Sequence, residues 1–319
     1  MTTLSTEYPG SALSRMAACA SSPKLLPRID TPVSEVPVGP TIAGPLWAGR
    51  NWAADAGEGS IHDDDTAAAL GFRGGTVPGD VHMNQFPPML VRVFGERWFE
   101  SGNLSLNFRN ATVDQEMVQV FARELEPGAH QVDVWMERED GLLVCSGSAA
   151  VGDQSGSELQ ARDLRPCDPS ELRILSRMRG GLSLGSYDVT VPTDRQFELY
   201  DAGLISDSLG WYRSGSPWGG VIACPSTLVQ QLWGVPMAGL RPHVGDAVGL
   251  FGAIEVGHVN GPLFPGRAYR IESEVVCVGQ SPKTEYLWFD TTATGPDGKL
   301  VATLRMMLRF MKASAEEYR

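Results

Sequence analysis

The sequence contains two copies of one pattern, and this internal repeat constrains the fold more than any other feature. Residues 71–79 (GFRGGTVPG) resemble residues 216–224 (SPWGGVIAC), and a mostly apolar run follows each copy, at 81–94 and at 225–233. Self-similarity of this kind indicates a repeated structural unit. We therefore expect two related halves within one chain.

Each apolar run is predicted to form a buried helix. In the first run, Met83, Phe86 and Leu90 recur at helical spacing. Two adjacent prolines, Pro87 and Pro88, predict a kink or a new start in the middle of this helix, because proline lacks the amide hydrogen that a helix interior needs.

Four strands are predicted to follow each helix. Segments of β pattern cover 103–109, 116–124, 131–138 and 142–151 in the first half, and about 247–256, 268–278, 284–294 and 299–311 in the second. The Asp-Gly pairs at 140–141 and 297–298 predict matching hairpin turns. A long antiparallel sheet around one apolar helix needs a second sheet to cover its exposed edge or face. The sequence thus predicts an α+β protein.

The 319 residues suit two units of roughly 150 residues each. We predict an N-terminal extended arm over 1–40, a first unit over 41–152, a linker over 153–189 and a second unit over 190–319. The arm is rich in proline and is expected to wrap over a partner surface. Within the linker, a capping Asp168 followed by Pro169 predicts a short helix over 170–178.

Charge and composition narrow the classes of partner. The net charge of −12 disfavours binding to nucleic acid or to an anionic membrane. Five cysteines without a CxxC pair are typical of free thiols in a reducing compartment. No apolar stretch approaches the roughly 18 residues that span a bilayer, and the start of the chain lacks the apolar run of a secretory signal. We expect a cytoplasmic protein.

The segment 60–79 (SIHDDDTAAALGFRGGTVPG) carries the residues best suited to chemistry. His62 can transfer a proton near neutral pH. A backbone N–H at the start of a helix can stabilise a developing oxyanion, and Gly79 lets a ligand approach that backbone closely. Pro78 suits the position just before the helix and is expected to contact the substrate.

This segment resembles the signature of the MaoC-like (R)-specific enoyl-CoA hydratases and dehydratases, in which an I-H-x-D element precedes A-x-x-x-G-F-x-G and the central helix. The resemblance is continuous over 55–91 and weaker beyond. It implies a double hotdog fold, with two long antiparallel sheets each wrapped around a central apolar helix. It also implies a hydro-lyase that needs no cofactor and acts on an acyl thioester of CoA or a carrier protein. A homodimer is compatible with it.

One position departs from the family signature. The family has a catalytic aspartate five residues before the histidine, and this chain has Gly57 there. Glu58 or Asp55 could supply the carboxylate through a shifted loop. The acidic run at 63–65 is interpreted as a helix cap and a solvated face, with no metal expected.

Polar residues early in the central helix are further candidates. His82 and Asn84 are predicted to face the same pocket as Gly79 and to bind substrate. In the alternative interpretation, His82 is a buried polar group whose hydrogen bonds are satisfied, and Asp80 only stabilises the helix dipole.

The second half resembles a degenerate copy of the site. Asp207 stands five residues before Tyr212, although counting from the paired glycines sets Asp207 opposite His62 instead. Cys224 takes the place of Gly79, and the residue after it is a proline without an N–H. We expect Asp207 and Tyr212 to shape a tunnel for the acyl chain, and His258 to be a pocket wall or a structural residue.

Two other functions stay open at this point. The chain could be a non-catalytic double hotdog that binds an acyl chain or a protein partner, or a thioesterase or cyclisation catalyst on the same scaffold, because a fold does not fix its chemistry. The GxSxG letters at 181–185 are interpreted as a chance match, since they lie in the predicted linker without the strand and helix that a nucleophile elbow requires.

Overall fold

The computed structural model of the protein describes residues 40–56, 59–205 and 209–319. The predicted arm up to residue 39, together with Gly57, Glu58 and Asp207, lies outside the described residues.

Ten strands form one antiparallel sheet in the order β1-β3-β4-β5-β2-β7-β10-β9-β8-β6. This order reads the same from both edges, since each half contributes five strands in equivalent positions. The halves meet where β2 pairs with β7, with Ser105 opposite Glu255. The two predicted sheets are therefore continuous with each other. The strands are β1 (Thr41–Ala48), β2 (Gly102–Phe108), β3 (Met117–Arg123), β4 (Gln131–Arg138), β5 (Leu143–Val151), β6 (Ser183–Thr190), β7 (Gly249–His258), β8 (Ala268–Gln280), β9 (Thr284–Thr294) and β10 (Leu300–Met311).

The eight predicted strands are confirmed, each with boundaries within two residues of the observed ones. The strands β1 and β6 were not predicted, and all of β6 except Thr190 lies in the segment 153–189 that was predicted to be a linker. Both are edge strands whose pairing is irregular: the register breaks between Ala43 and Leu46 in β1, and between Ser183 and Gly185 in β6. Edge strands with a bulge carry a weak sequence signal.

Six α-helices accompany the sheet in the described ranges. They are α1 (Asp64–Ala69), α2 (Gly79–Met83), α3 (Pro87–Phe94), α4 (Arg97–Ser101), α5 (Asp194–Asp201) and α6 (Pro225–Val244). The first central helix is divided into α2 and α3 at the proline pair, as predicted. In the described parts of the chain, none of the helices combines the length and the apolar character that crossing a bilayer requires.

The helix predicted over 170–178 is wrong in length, because only Pro169–Glu171 forms a 3-10 turn. Asp168 caps this turn by accepting a 2.9 Å hydrogen bond from the N–H of Ser170. Beyond it, the carboxylate of Glu285 accepts from the N–H groups of Arg173 and Leu175. Those amides are therefore satisfied by a side chain and not by a helical turn.

The central helices of the two halves pack directly against each other. Met83 and Leu90 of the first half and Leu228 and Leu232 of the second are buried in the same core. This packing sets the first residues of α2 beside the first turns of α6, which is the region where the candidate site lies.

Candidate functional site

The imidazole of His62 is fixed in one orientation and one tautomer. Its Nδ1 lies 2.7 Å from the carbonyl oxygen of Thr76. A carbonyl oxygen can only accept, so Nδ1 carries the hydrogen and Nε2 of the neutral ring keeps a free lone pair. No described residue forms a hydrogen bond with Nε2. Burial lowers the pKa of His62, although the bond to Thr76 opposes this shift. The ring is thus set up to accept a proton at Nε2.

The paired glycines explain how His62 reaches this position. The loop that carries His62 packs onto residues 74–76, where the N–H of Gly75 donates to Asp64 Oδ1 at 2.7 Å and the N–H of Thr76 donates to Ile61 O at 3.1 Å. A Cβ on Gly75 would lie 2.2 Å from the carbonyl oxygen of His62. Only glycine permits this approach, and Asn51 then donates to the same oxygen at 2.8 Å.

Gly79 follows Thr76 by three residues, which can span at most about 11 Å. Pro78 stands at the N-cap of α2 and provides no side-chain cap. The N–H of Gly79 has no hydrogen-bond partner among the described residues. A Cβ on Gly79 would lie 2.7 Å from the ring of Phe108, so glycine here allows that ring to pack against the backbone. An available N–H therefore follows, three residues along the chain, the carbonyl group of Thr76 that holds the ring of His62.

The equivalent position in the second half is closed. The N–H of Cys224 donates to Gln196 Oε1 at 2.9 Å. The Nε2 of Gln196 donates in turn to the carbonyl oxygens of Tyr212, at 2.7 Å, and Ile222, at 3.0 Å. The side-chain amide of Gln196 thus accepts the hydrogen bond of the Cys224 N–H, which corresponds to the N–H of Gly79 in the first half. Tyr212 is fully buried, with its ring edge-on to Phe99 at 6.3 Å between centroids.

His82 and Asn84 are engaged with the protein itself. His82 is buried, with Nε2 2.7 Å from Thr112 Oγ1 and Nδ1 3.4 Å from Gln85 Nε2, and burial lowers its pKa to about 4. Asn84 exchanges two 2.9 Å hydrogen bonds with Ser226. This geometry favours the alternative interpretation of His82 as a satisfied buried group.

His258 is buried at the end of β7. Its ring contacts Trp98 at 5.2 Å and Phe99 at 5.5 Å between centroids. Nδ1 is buried without a hydrogen-bond partner in the described part of the chain, and burial lowers the pKa of His258 to about 4. These contacts are those of a core aromatic residue.

The carboxylates near His62 have different surroundings. Asp55 is exposed on the 3-10 turn Ala54–Ala56 and forms no hydrogen bond with His62. Asp63 caps α1 by accepting from the N–H of Thr66 at 2.8 Å, and this bond lowers its pKa. The cap interpretation of the acidic run is confirmed for Asp63. Within the described ranges, no group of three His, Cys, Asp or Glu side chains is arranged to hold a metal ion.

Asp80, which was expected only to stabilise the helix dipole, is a buried carboxyl group. This residue is only 3% exposed, and its Oδ2 accepts a 3.0 Å hydrogen bond from Nε2 of Gln230 in α6. Burial raises the pKa of Asp80 to about 6, against the lowering effect of Gln230 and of the N–H groups of Asp80 and Val81. The available signal was an acidic residue at the start of an otherwise apolar helix.

Two surface cavities lie elsewhere in the fold. One of about 310 Å³ is lined by polar residues of the segment 154–160 and by β9 and β10, and one of about 140 Å³ lies on β3 and β4. Neither is lined by His62, Gly79 or Asp80, so cavity size does not identify the site.

No protein-family model and no curated protein matches this sequence. Among solved structures, the chain is similar to a protein assigned as a MaoC domain dehydratase from Chloroflexus aurantiacus J-10-fl, with a TM-score of 0.58 and 11% identity over 86% of this chain and 96% of that chain. A MaoC-like dehydratase aligns with a TM-score of 0.52 and 14% identity, over 86% and 98%.

A third similar structure is a conserved hypothetical protein from Mycobacterium tuberculosis that is described as having a double hotdog fold. Its TM-score is 0.51 and its identity 14%, over 86% of this chain and 97% of that chain. The predicted double hotdog fold is therefore confirmed. At such low identities the similarity establishes the fold and leaves the activity to the residues of the site.

Proposed function

We propose that this protein, which shares the double hotdog fold of the MaoC-like dehydratases to which it is similar, is a hydro-lyase with one site in its first half. The substrate is an enoyl or 3-hydroxyacyl thioester of CoA or a carrier protein, or a related activated carbonyl compound. The observation that carries the proposal is the bond from His62 Nδ1 to Thr76 O, which leaves Nε2 able to act as a base in the segment that leads to the available N–H of Gly79.

In the proposed reaction the N–H of Gly79 donates to the thioester carbonyl oxygen. That oxygen gains negative charge when the α-carbon of the acyl group loses a proton, so the hydrogen bond strengthens in the transition state. His62 Nε2 accepts the α-proton while the hydroxyl group leaves the β-carbon. The leaving oxygen takes up one proton from an acidic group in the site or from solvent and departs as water. In hydration the same groups act in reverse.

The test is a hydration assay with purified protein and with crotonyl and longer enoyl thioesters, followed by the loss of the conjugated absorbance. Replacement His62→Ala is expected to lower kcat by at least about 100-fold, which is typical for loss of a general base. The matched control is His130→Ala, since His130 is an exposed histidine. Undiminished turnover in His62→Ala would contradict the role of His62.

The second candidate function is acyl binding without catalysis. It is favoured by Gly57 at the position of the family aspartate and by the exposure of Asp55, which forms no hydrogen bond with His62. Saturable binding of the crotonyl and longer enoyl thioesters, without turnover of any of them, would support it. The same thioesters distinguish a thioesterase from a hydro-lyase, because only a thioesterase releases free thiol from an acyl-CoA.

A further inference from the structure

The carboxyl group of Asp80 is buried between the two halves of the protein. Asp80 directly follows Gly79 and is 3% exposed. Its hydrogen bond to Gln230 comes from the other half, 150 residues further along the chain. Carboxylates are rarely buried to this extent unless they are paired or have a function.

Within the described part of the chain, no cation pairs with Asp80 to offset this burial. Among the ion pairs of the described residues, none includes Asp80. Two titratable groups lie close to Asp80 in α2 and at the start of α6, whereas Arg241 and His243 lie in the last turn of α6. His82 on α2 is bonded to Thr112, and Cys224 at the start of α6 has a thiol pKa that is raised by burial and, to a lesser extent, by Asp80. Both are neutral near pH 7, so burial dominates the ionisation of Asp80.

We propose that Asp80 supplies the acid–base carboxyl group that the loop of His62 lacks, and that it acts on the β-hydroxyl group or the water of the acyl thioester. This inference rests on the proposed function. Asp80 is the residue next to the proposed carbonyl-binding N–H, with Cα atoms about 3.8 Å apart. Asp80 therefore lies in the same first turn of α2 as the N–H that would hold the carbonyl oxygen of a bound thioester.

The dehydration step balances with His62 and Asp80 alone. His62 Nε2 takes the proton from the α-carbon, and the electron pair of that C–H bond forms the double bond to the β-carbon. The C–O bond at the β-carbon breaks, and the leaving oxygen takes the proton of the Asp80 carboxyl group and departs as water. A proton returns from His62 to Asp80 through solvent. The active pair thus carries one proton, and kcat/KM falls when that proton is lost.

The experiment compares Asp80→Asn and Gln230→Met with the unmodified protein in the enoyl thioester assay from pH 4.5 to 8.5. Asp80→Asn keeps the size of the side chain, and kcat should fall by about 100-fold or more while KM changes by less than about threefold. Asp65→Asn, which changes an exposed acid of α1, is the matched control and should leave both constants unchanged.

Gln230→Met removes the hydrogen bond that stabilises the ionised carboxyl group of Asp80. The pKa of Asp80 should rise, so the alkaline limb of the kcat/KM profile should move to higher pH while turnover persists. This variant therefore still tests the role of Asp80 if the Asp80→Asn protein does not fold.

The outcomes separate the two proposals. If the unmodified protein is active and the profile moves as described, Asp80 has the assigned role. Activity in the unmodified protein, with an unchanged profile in Gln230→Met or undiminished kcat in folded Asp80→Asn, overturns the role of Asp80 and leaves the proposed function standing. Absence of turnover with every thioester overturns the proposed function and the role of Asp80 with it.

Discussion

Asn84 and Ser226, which lie 142 residues apart in the chain, exchange two hydrogen bonds of 2.9 Å across the junction of the two halves. The Oδ1 of Asn84 accepts from the backbone N–H of Ser226 in the first turn of α6. Cys224, the N-cap residue of that helix, provides no side-chain cap. The first half therefore caps the central helix of the second.

We expect Asn84→Ala to destabilise the protein by about 2 kcal/mol, since it removes a cap and leaves a buried N–H unpaired. The free energy of unfolding from urea denaturation measures this change. Asn260→Ala, which removes one exposed amide bonded to Leu300 O, should cost clearly less. Equal losses in the two variants would show that Asn84 has no capping role.

Replacement Gly75→Ala tests the support of His62. The new Cβ would meet the carbonyl oxygen of His62 at 2.2 Å, so the loop must move and the bond to Thr76 should be lost. We expect kcat/KM in the thioester assay to fall by at least about tenfold, because a catalytic group is sensitive to small displacements. Gly156→Ala is the control, since a Cβ there meets nothing within 4 Å. Full activity of Gly75→Ala would mean that the loop geometry is unimportant.

Replacement Gln196→Ala should affect stability and not turnover. It removes the hydrogen bonds that Gln196 forms with three buried backbone groups, namely the N–H of Cys224 and the carbonyl oxygens of Tyr212 and Ile222. The expected loss is about 3 kcal/mol of unfolding free energy. Below the melting temperature, kcat should match that of the unmodified protein. The control variant is Gln231→Ala in α6, which should have the same kcat. A specific loss of kcat would place a reaction centre in the second half.

Replacement His258→Phe should make the protein less sensitive to acid. Burial lowers the pKa of His258 to about 4 in the folded protein, from its ordinary value of 6.5. As pH falls from 6.5 towards 4, the unfolded chain gains a proton that the folded protein does not, so stability is lost in this window. Phenylalanine keeps the aromatic contacts and cannot be protonated.

At pH 5 the variant should therefore gain about 2 kcal/mol over the unmodified protein, relative to the difference between them at pH 7.5. Urea denaturation at the two pH values measures it, and exposed His130→Ala is the control. An identical pH dependence in the variant and the unmodified protein would show that His258 is protonated equally in both states.

Local pattern predicted the regular parts of the fold. Alternation and the Asp-Gly turns gave β4 and β9 their observed bounds, and the proline pair correctly divided α2 from α3. The edge strand β6 was missed because its bulge at Gly185 and its small residues weaken the alternation. Its identity as a strand depends on pairing with β8, about 85 residues away.

The candidate site was predictable only where its residues are close in sequence. His62, the paired glycines and Gly79 fall within 18 residues, and a signature could connect them. The hydrogen-bond partner of Asp80 is Gln230, and the partner of the Cys224 N–H is Gln196. Neither glutamine belongs to a local sequence motif. Whether a buried polar residue is satisfied depends on contacts between distant segments, which a single sequence does not reveal.

The closure of the N–H of Cys224 by Gln196 has a consequence for stoichiometry. The sheet has two equivalent halves, and its symmetry would offer two ligand positions. Because the side-chain amide of Gln196 occupies one of these positions, a titration with a saturated acyl thioester, which has no double bond to hydrate, should saturate at one equivalent per chain. In isothermal titration calorimetry, a stoichiometry of one ligand per chain, and not two, would show that only one half of the protein binds the ligand.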